Sequence, residues 1–164
     1  MTLKSKYLLL LFVSLMFVFN ACQDNGVYEN YIEIPGHKWH KDHVASFEVE
    51  ISDSLQMHNI YVNIRNTGKY PFSNLWLFMK QTDPDGKVIE DKFECHLADE
   101  TGDWFGSGFG DIFDLQLLYK PSVVFTRPGT YLFEMRQGMR GEYLPGIVNV
   151  GLRVEKTELL QNKK

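Results

Sequence analysis

Only two of the 164 residues are cysteines, Cys22 and Cys95, too few for a disulfide framework. The one long apolar run, residues 7–19, spans 13 positions, well short of the roughly 20 that a membrane-spanning helix needs. No segment repeats, and none carries the i, i+3, i+4 apolar spacing of a long amphipathic helix. Two of the 17 cations, Lys4 and Lys6, lie in the first 21 residues, which hold no acid. The remaining 15 cations face 21 acids, leaving the rest of the chain at −6. An acidic chain without a basic stripe argues against nucleic acid as a partner. No nucleophile–base constellation stands out either: Ser54, between Asp53 and His58, reads as part of a turn rather than of a triad.

What is present begins with a targeting segment. Lys4 and Lys6 form a positive n-region, residues 7–19 an apolar h-region, and Ala21-Cys22 closes it. A small residue directly before a cysteine resembles a bacterial lipobox. The expected domain order is a lipoprotein signal peptide over 1–21, a lipidated tether over 22–30, a folded domain over 31–156 and a polar tail over 157–164. Cys22 is then the lipidation site and contacts the lipid bilayer, and Cys95 is a buried, inert thiol without an intrachain partner.

The remainder alternates with period two. Hydrophobic residues make up 44% of the chain and aromatics 14%, enough for a packed core. Strands are expected at 28–34, 45–51, 60–65, 75–79, 88–97, 112–119, 123–126, 131–136 and 148–154. Residues 60–80 read as a central hairpin around Gly68 and Pro71, with Val62 and Leu77 in the core together with Phe133 and Val150. The strand at 75–79 is apolar on both faces, so Trp76 is expected inside. Asp83-Pro84-Asp85-Gly86 is a second hairpin turn, and Lys120-Pro121 a strand break. About nine short strands with frequent turns predict an all-β fold, an antiparallel β-sandwich of immunoglobulin-like or jelly-roll-like topology.

Several groups bear on chemistry. His37, His40 and His43 invite a metal, but their spacing of three suits neither a strand face nor a helix face, and Lys38 and Lys41 oppose a cation. Asp83, Asp85 and Gly86 open like a calcium loop, but Glu94, at the closing position, falls inside a strand pattern. Gly106, Gly108 and Gly110 lack the strand–helix context of a phosphate loop and instead suit a backbone passing close to aromatics or a loop that meets a partner. Asp99, Glu100, Asp103, Asp111 and Asp114 flank Trp104, where a carboxylate pair beside a sugar-stacking ring is conceivable; a solvated loop with one anchoring Trp is the simpler reading. No metal, no cofactor and no catalytic residue is expected. The candidate partner surface is Trp104, Phe105 and Phe109, with Met139, Arg140 and Tyr143, the residue types enriched at interface hot spots. The competing reading is a glycan-binding module that uses Trp39, Trp76 or Trp104 as a stacking platform.

Four stretches together carry a family resemblance. They are Tyr61-Val62-Asn63-Ile64-Arg65-Asn66 through Tyr70-Pro71-Phe72-Ser73-Asn74-Leu75-Trp76-Leu77; Gly102-Asp103-Trp104-Phe105-Gly106-Ser107-Gly108; Phe133 to Arg140; and Gly146 to Lys156. With the lipobox, the chain resembles the GldH family of gliding-motility lipoproteins of Bacteroidota. The resemblance implies a lipid-anchored accessory protein of the gliding apparatus, which is linked to type IX secretion. It also implies no enzymatic residues and partners among envelope motility or secretion proteins. The expected location is the outer membrane, facing the periplasm.

Overall fold

The computed structural model describes residues 25–157 except Phe109. The signal peptide, Cys22 and the polar tail beyond Thr157 lie outside the described residues, as does Phe109.

Ten strands follow in order: β1 (Gly26–Glu33), β2 (Lys38–His40), β3 (Ala45–Ile51), β4 (Met57–Thr67), β5 (Asn74–Thr82), β6 (Val88–His96), β7 (Ile112–Val124), β8 (Gly129–Gln137), β9 (Tyr143–Pro145) and β10 (Ile147–Lys156). They form two four-stranded antiparallel sheets, β1-β10-β4-β7 and β3-β8-β5-β6, and a small β2-β9 ladder. The expected β-sandwich is present. Alternation explains its core. In β3, Ala45, Phe47, Val49 and Ile51 are buried while Ser46, Glu48 and Glu50 face water. Val62, Leu77, Phe133 and Val150 are all buried, as expected.

Three expectations require correction. First, residues 60–80 are not a hairpin: β4 and β5 belong to opposite sheets. The link between them crosses the end of the sandwich because Tyr70 drops into the core and donates its hydroxyl to Asn74 O at 2.8 Å. Thr67 N–H meanwhile bonds Gly146 O at 2.8 Å. The real hairpin is β5–β6, closed by the Asp83–Gly86 turn with Gly86 at φ 82°. Second, Lys120-Pro121 does not end a strand. β7 runs through it as an edge strand, where a proline removes no ladder bond from a neighbour on its free side; register shifts opposite His58 and Ile60 absorb the irregularity. Third, Trp76 is outside, 39% exposed. β5 is apolar on both faces, and among the described residues no strand covers the second one.

The strand ends divide the sandwich into two poles. At one, β1 starts, β10 ends, β4 starts and β7 ends: Lys156 N–H bonds Asn25 O, Thr157 N–H bonds Met57 O, and Met57 pairs with Val124. The opposite pole carries residues 68–73, 97–111 and 138–142.

Candidate functional site

The pole away from the N-terminus holds most of the candidate surface. Its longest loop, 97–111, is tied down at three points. Phe105 N–H donates to Leu97 O at 2.8 Å. Asp99 Oδ1 accepts from Thr101 N–H, Thr101 Oγ1–H and Asp103 N–H at 2.7–2.9 Å, and these bonds, the Thr101 hydroxyl first, hold its carboxyl below the usual range. Ser107 and Asp114 exchange backbone hydrogen bonds at 3.0 and 3.3 Å. The glycines are needed for that last contact: a Cβ on Gly106 would lie 2.3 Å from Asp114 O, and one on Gly108 1.6 Å from Ile112 O. The glycine-rich stretch thus lies along the β7 backbone and does not form an open cradle.

Within this loop Trp104 is half-buried, its ring 6.2 Å from Tyr70 and 5.7 Å from Phe113. It is a packing residue. Its neighbour Phe105 is exposed, and so is Phe72, set edge-on to Tyr70 at 5.8 Å. Phe72 and Phe105 form an exposed aromatic ledge; in the sequence Phe72 stands out only as part of the stretch that carries the family resemblance.

Met139, Arg140 and Tyr143 are held separately. Buried Gln137 organises their loop, donating Nε2–H to Gly141 O at 2.8 Å while Oε1 accepts from Met139 N–H at 2.8 Å. Met139 is half-buried, and its Sδ accepts the Trp76 N–H at 3.4 Å. Arg140 is exposed, and so is Tyr143, whose ring meets His40 at 4.7 Å. Tyr70 stands between the two groups: its ring meets Trp104 and Phe72, and its backbone approaches Gly146.

Two concavities lie on the outer sheet faces. One, of about 980 Å³, flanks Phe78, Lys80, Glu90, Lys92 and Arg136. Phe78 is exposed beside Trp76, with Lys92 and Arg136 about 6 Å over its ring (5.8 and 6.0 Å) and Lys80 paired to Glu134 at 2.6 Å. The other, of about 650 Å³, is bordered by Tyr31, Arg65, Ser107, Asp114 and Gln116. There Arg65 Nε donates to Asp114 at 2.7 Å and its guanidinium sits 4.1 Å over Tyr31. The Asp114 bond raises the Arg65 pKa, and burial followed by the Asp114 and Glu29 charges raises that of Tyr31.

Other candidates are dispersed. Trp39 is fully buried, donating Nε1–H to His43 O at 2.9 Å. His40 approaches Glu142 at 3.3 Å, and among the described residues no three of His, Cys, Asp or Glu are grouped to hold a metal ion. Cys95 is buried, and burial pushes its thiol far up, the opposite of an activated nucleophile.

The profile of the GldH lipoprotein family matches residues 26–154. A gliding motility lipoprotein GldH homolog from Christiangramia forsetii is 36% identical over 163 residues, covering 95% of this chain and 99% of that protein. The gliding motility lipoprotein GldH of Flavobacterium johnsoniae is 34% identical over 165 residues, covering 96% and 100%. No solved structure matches.

Proposed function

The chain belongs to the GldH lipoprotein family, and from that premise we propose that it is a non-enzymatic, lipid-anchored component of the gliding-motility and type IX secretion-linked envelope machinery. It acts through protein–protein contacts. The observation that carries this reading is the aromatic ledge at the pole away from the N-terminus. Phe72 and Phe105 are exposed there on two loops that are hydrogen-bonded to each other, Leu97 and Ala98 N–H both donating to Ser73 O. Rigid exposed aromatics bind with little loss of conformational freedom. The anchor is Cys22, and the membrane is the outer one, on its periplasmic face. Gln23 rather than aspartate follows the cysteine, and Asp24 stands as a single acid, a thin signal for surface export.

Affinity purification of the lipidated protein from its native envelope tests the contact surface. Phe72→Ser with Phe105→Ser should lose the motility or secretion components that wild type retains, while the circular dichroism spectrum is unchanged. Unaltered co-purification would overturn the assignment. Cys22→Ala should abolish fatty-acid labelling and membrane fractionation together; retained label would count against that site.

A second reading has one observation in its favour. Trp76 and Phe78 stand side by side on the outer face of β5, flanked by Lys92 and Arg136. A flat exposed ring beside polar donors is what a glycan platform requires. Glycan-array binding that disappears in Trp76→Ala, with no protein partner recovered, would favour it.

A further inference from the structure

The pole at which β1 begins carries a cluster of uncovered apolar side chains. Leu55 is 93% exposed, Met57 42% and Val124 57%. Met57 and Val124 are cross-strand partners at the ends of β4 and β7. Leu55 sits two residues before Met57 in the loop that joins the two sheets, its N–H bonded to Asp53 Oδ1 at 3.0 Å, which fixes it at the tip. Leu118, farther along β7 opposite Tyr61, is exposed as well. Clustered exposed apolar groups mark a contact surface.

The chain itself says what lies against this pole. β1 begins at Gly26, inside the stretch 22–30 expected as tether, so only Gln23, Asp24 and Asn25 separate Cys22 from the sheet. At roughly 3.6 Å per residue, four steps span at most about 14 Å. Gly26 and Val124 sit on strands three places apart in the order β1-β10-β4-β7, and three spacings of about 4.8 Å also come to roughly 14 Å. An acyl chain on Cys22 therefore keeps Gly26 within about 14 Å of the bilayer, close enough for the rest of this edge, which reaches about as far again across the sheet, to lie down on it.

We propose that Leu55, Met57 and Val124 dock this pole onto the membrane surface, so that the domain stands on the bilayer instead of drifting at the end of its tether. The inference rests on the reading of Cys22 as the anchor. Three side chains would hold a free protein only weakly. A short tether raises their effective concentration at the surface to the order of millimolar, so a weak contact is occupied without further affinity. Apolar burial drives the contact. Arg127 at this pole is paired with Asp85, and Lys120 with Asp91, while the exposed Lys87 and Lys156 share the pole with the acids Asp53 and Asp83, so attraction to anionic lipid is secondary. The docked pole points the Phe72–Phe105 ledge away from the membrane.

The test uses the full-length lipidated protein in vesicles of phosphatidylethanolamine and phosphatidylglycerol. A polarity-sensitive fluorophore is attached at Leu55→Cys or, at the opposite pole, at Thr101→Cys; Cys95 is buried and Cys22 acylated, so only the introduced thiol reacts. Lipids carrying a nitroxide high on the acyl chain should quench the label at 55 severalfold more than the label at 101. That difference should survive molar salt and vanish when Met57→Ser and Val124→Ser are added. Protein retained on vesicles with equal quenching at both sites would overturn the docking. Protein not retained at all would overturn the anchor reading, and the docking with it.

Discussion

His58 is the residue whose environment makes the sharpest statement about pH. It lies buried at the start of β4 against the ring of Phe125, 5.2 Å away, and its Nδ1 has no hydrogen-bond partner among the described residues. Burial lowers its pKa below the ordinary 6.5. Below about pH 6.5 the unfolded chain therefore binds a proton that the folded domain refuses, and stability falls with pH until the folded form also protonates. The denaturant midpoint should drop between pH 7.5 and 5.5, and His58→Phe should flatten that slope. Asp91 acts in a separate window. Its hydrogen bond from Lys120, and then the one from Tyr119, hold its pKa below 3.8, so its contribution is present above that value and lost only as pH falls beneath it. Gly108 is constrained by shape. An alanine there must push the loop off the β7 backbone, and overpacking of this kind costs about 1–3 kcal/mol, readable as a lower melting temperature. The close approach at Gly106 and Gly108 was legible in the sequence, but not the β7 backbone they press on, because a glycine in a sequence reports close approach without naming the neighbour. Trp39, a possible platform by sequence, is buried, and Trp76, expected in the core and a platform only in the glycan alternative, is exposed, since an indole is equally suited to either place.

At the scale of the element, β5 shows what periodicity decides. Leu75, Leu77 and Met79 are buried and Trp76 and Phe78 exposed. Leu77→Ala should destabilise the domain by about 2–5 kcal/mol, the range for large-to-small core changes. Trp76→Ser, one position along, should cost well under that, because the ring leaves no cavity behind. Similar melting temperatures for the two variants would contradict this face assignment. The faces of β3, β4, β8 and β10 were legible for the same reason: one side is apolar and the other polar. The partners were not. Alternation fixes which side of a strand is buried and is silent on which strand lies beside it. That is why the Gly68–Pro71 segment read as a hairpin turn when it is a crossing between sheets. Only β5–β6, with a short Asp-Gly turn, had its pairing written into local chemistry.

For the molecule as a whole, the pairings that matter are distant in sequence. β10 sits between β1 and β4, with Tyr28 opposite Val154 and Val62 opposite Leu152. Removing residues 147–164 would leave β1 without a paired strand and β4 with β7 alone, so the truncated chain should show no cooperative unfolding transition in denaturant. Closing contacts of such separation is slow, because the loop entropy is spent before the contacts form. The placement of β10 also imposes an order in time. In a chain delivered from its N-terminus, Cys22 arrives among the first residues and β10 among the last. Sheet β1-β10-β4-β7 can assemble only after β10 appears, so a lipid attached at the proposed anchor while the chain is still arriving would leave the domain to fold as an already tethered polymer.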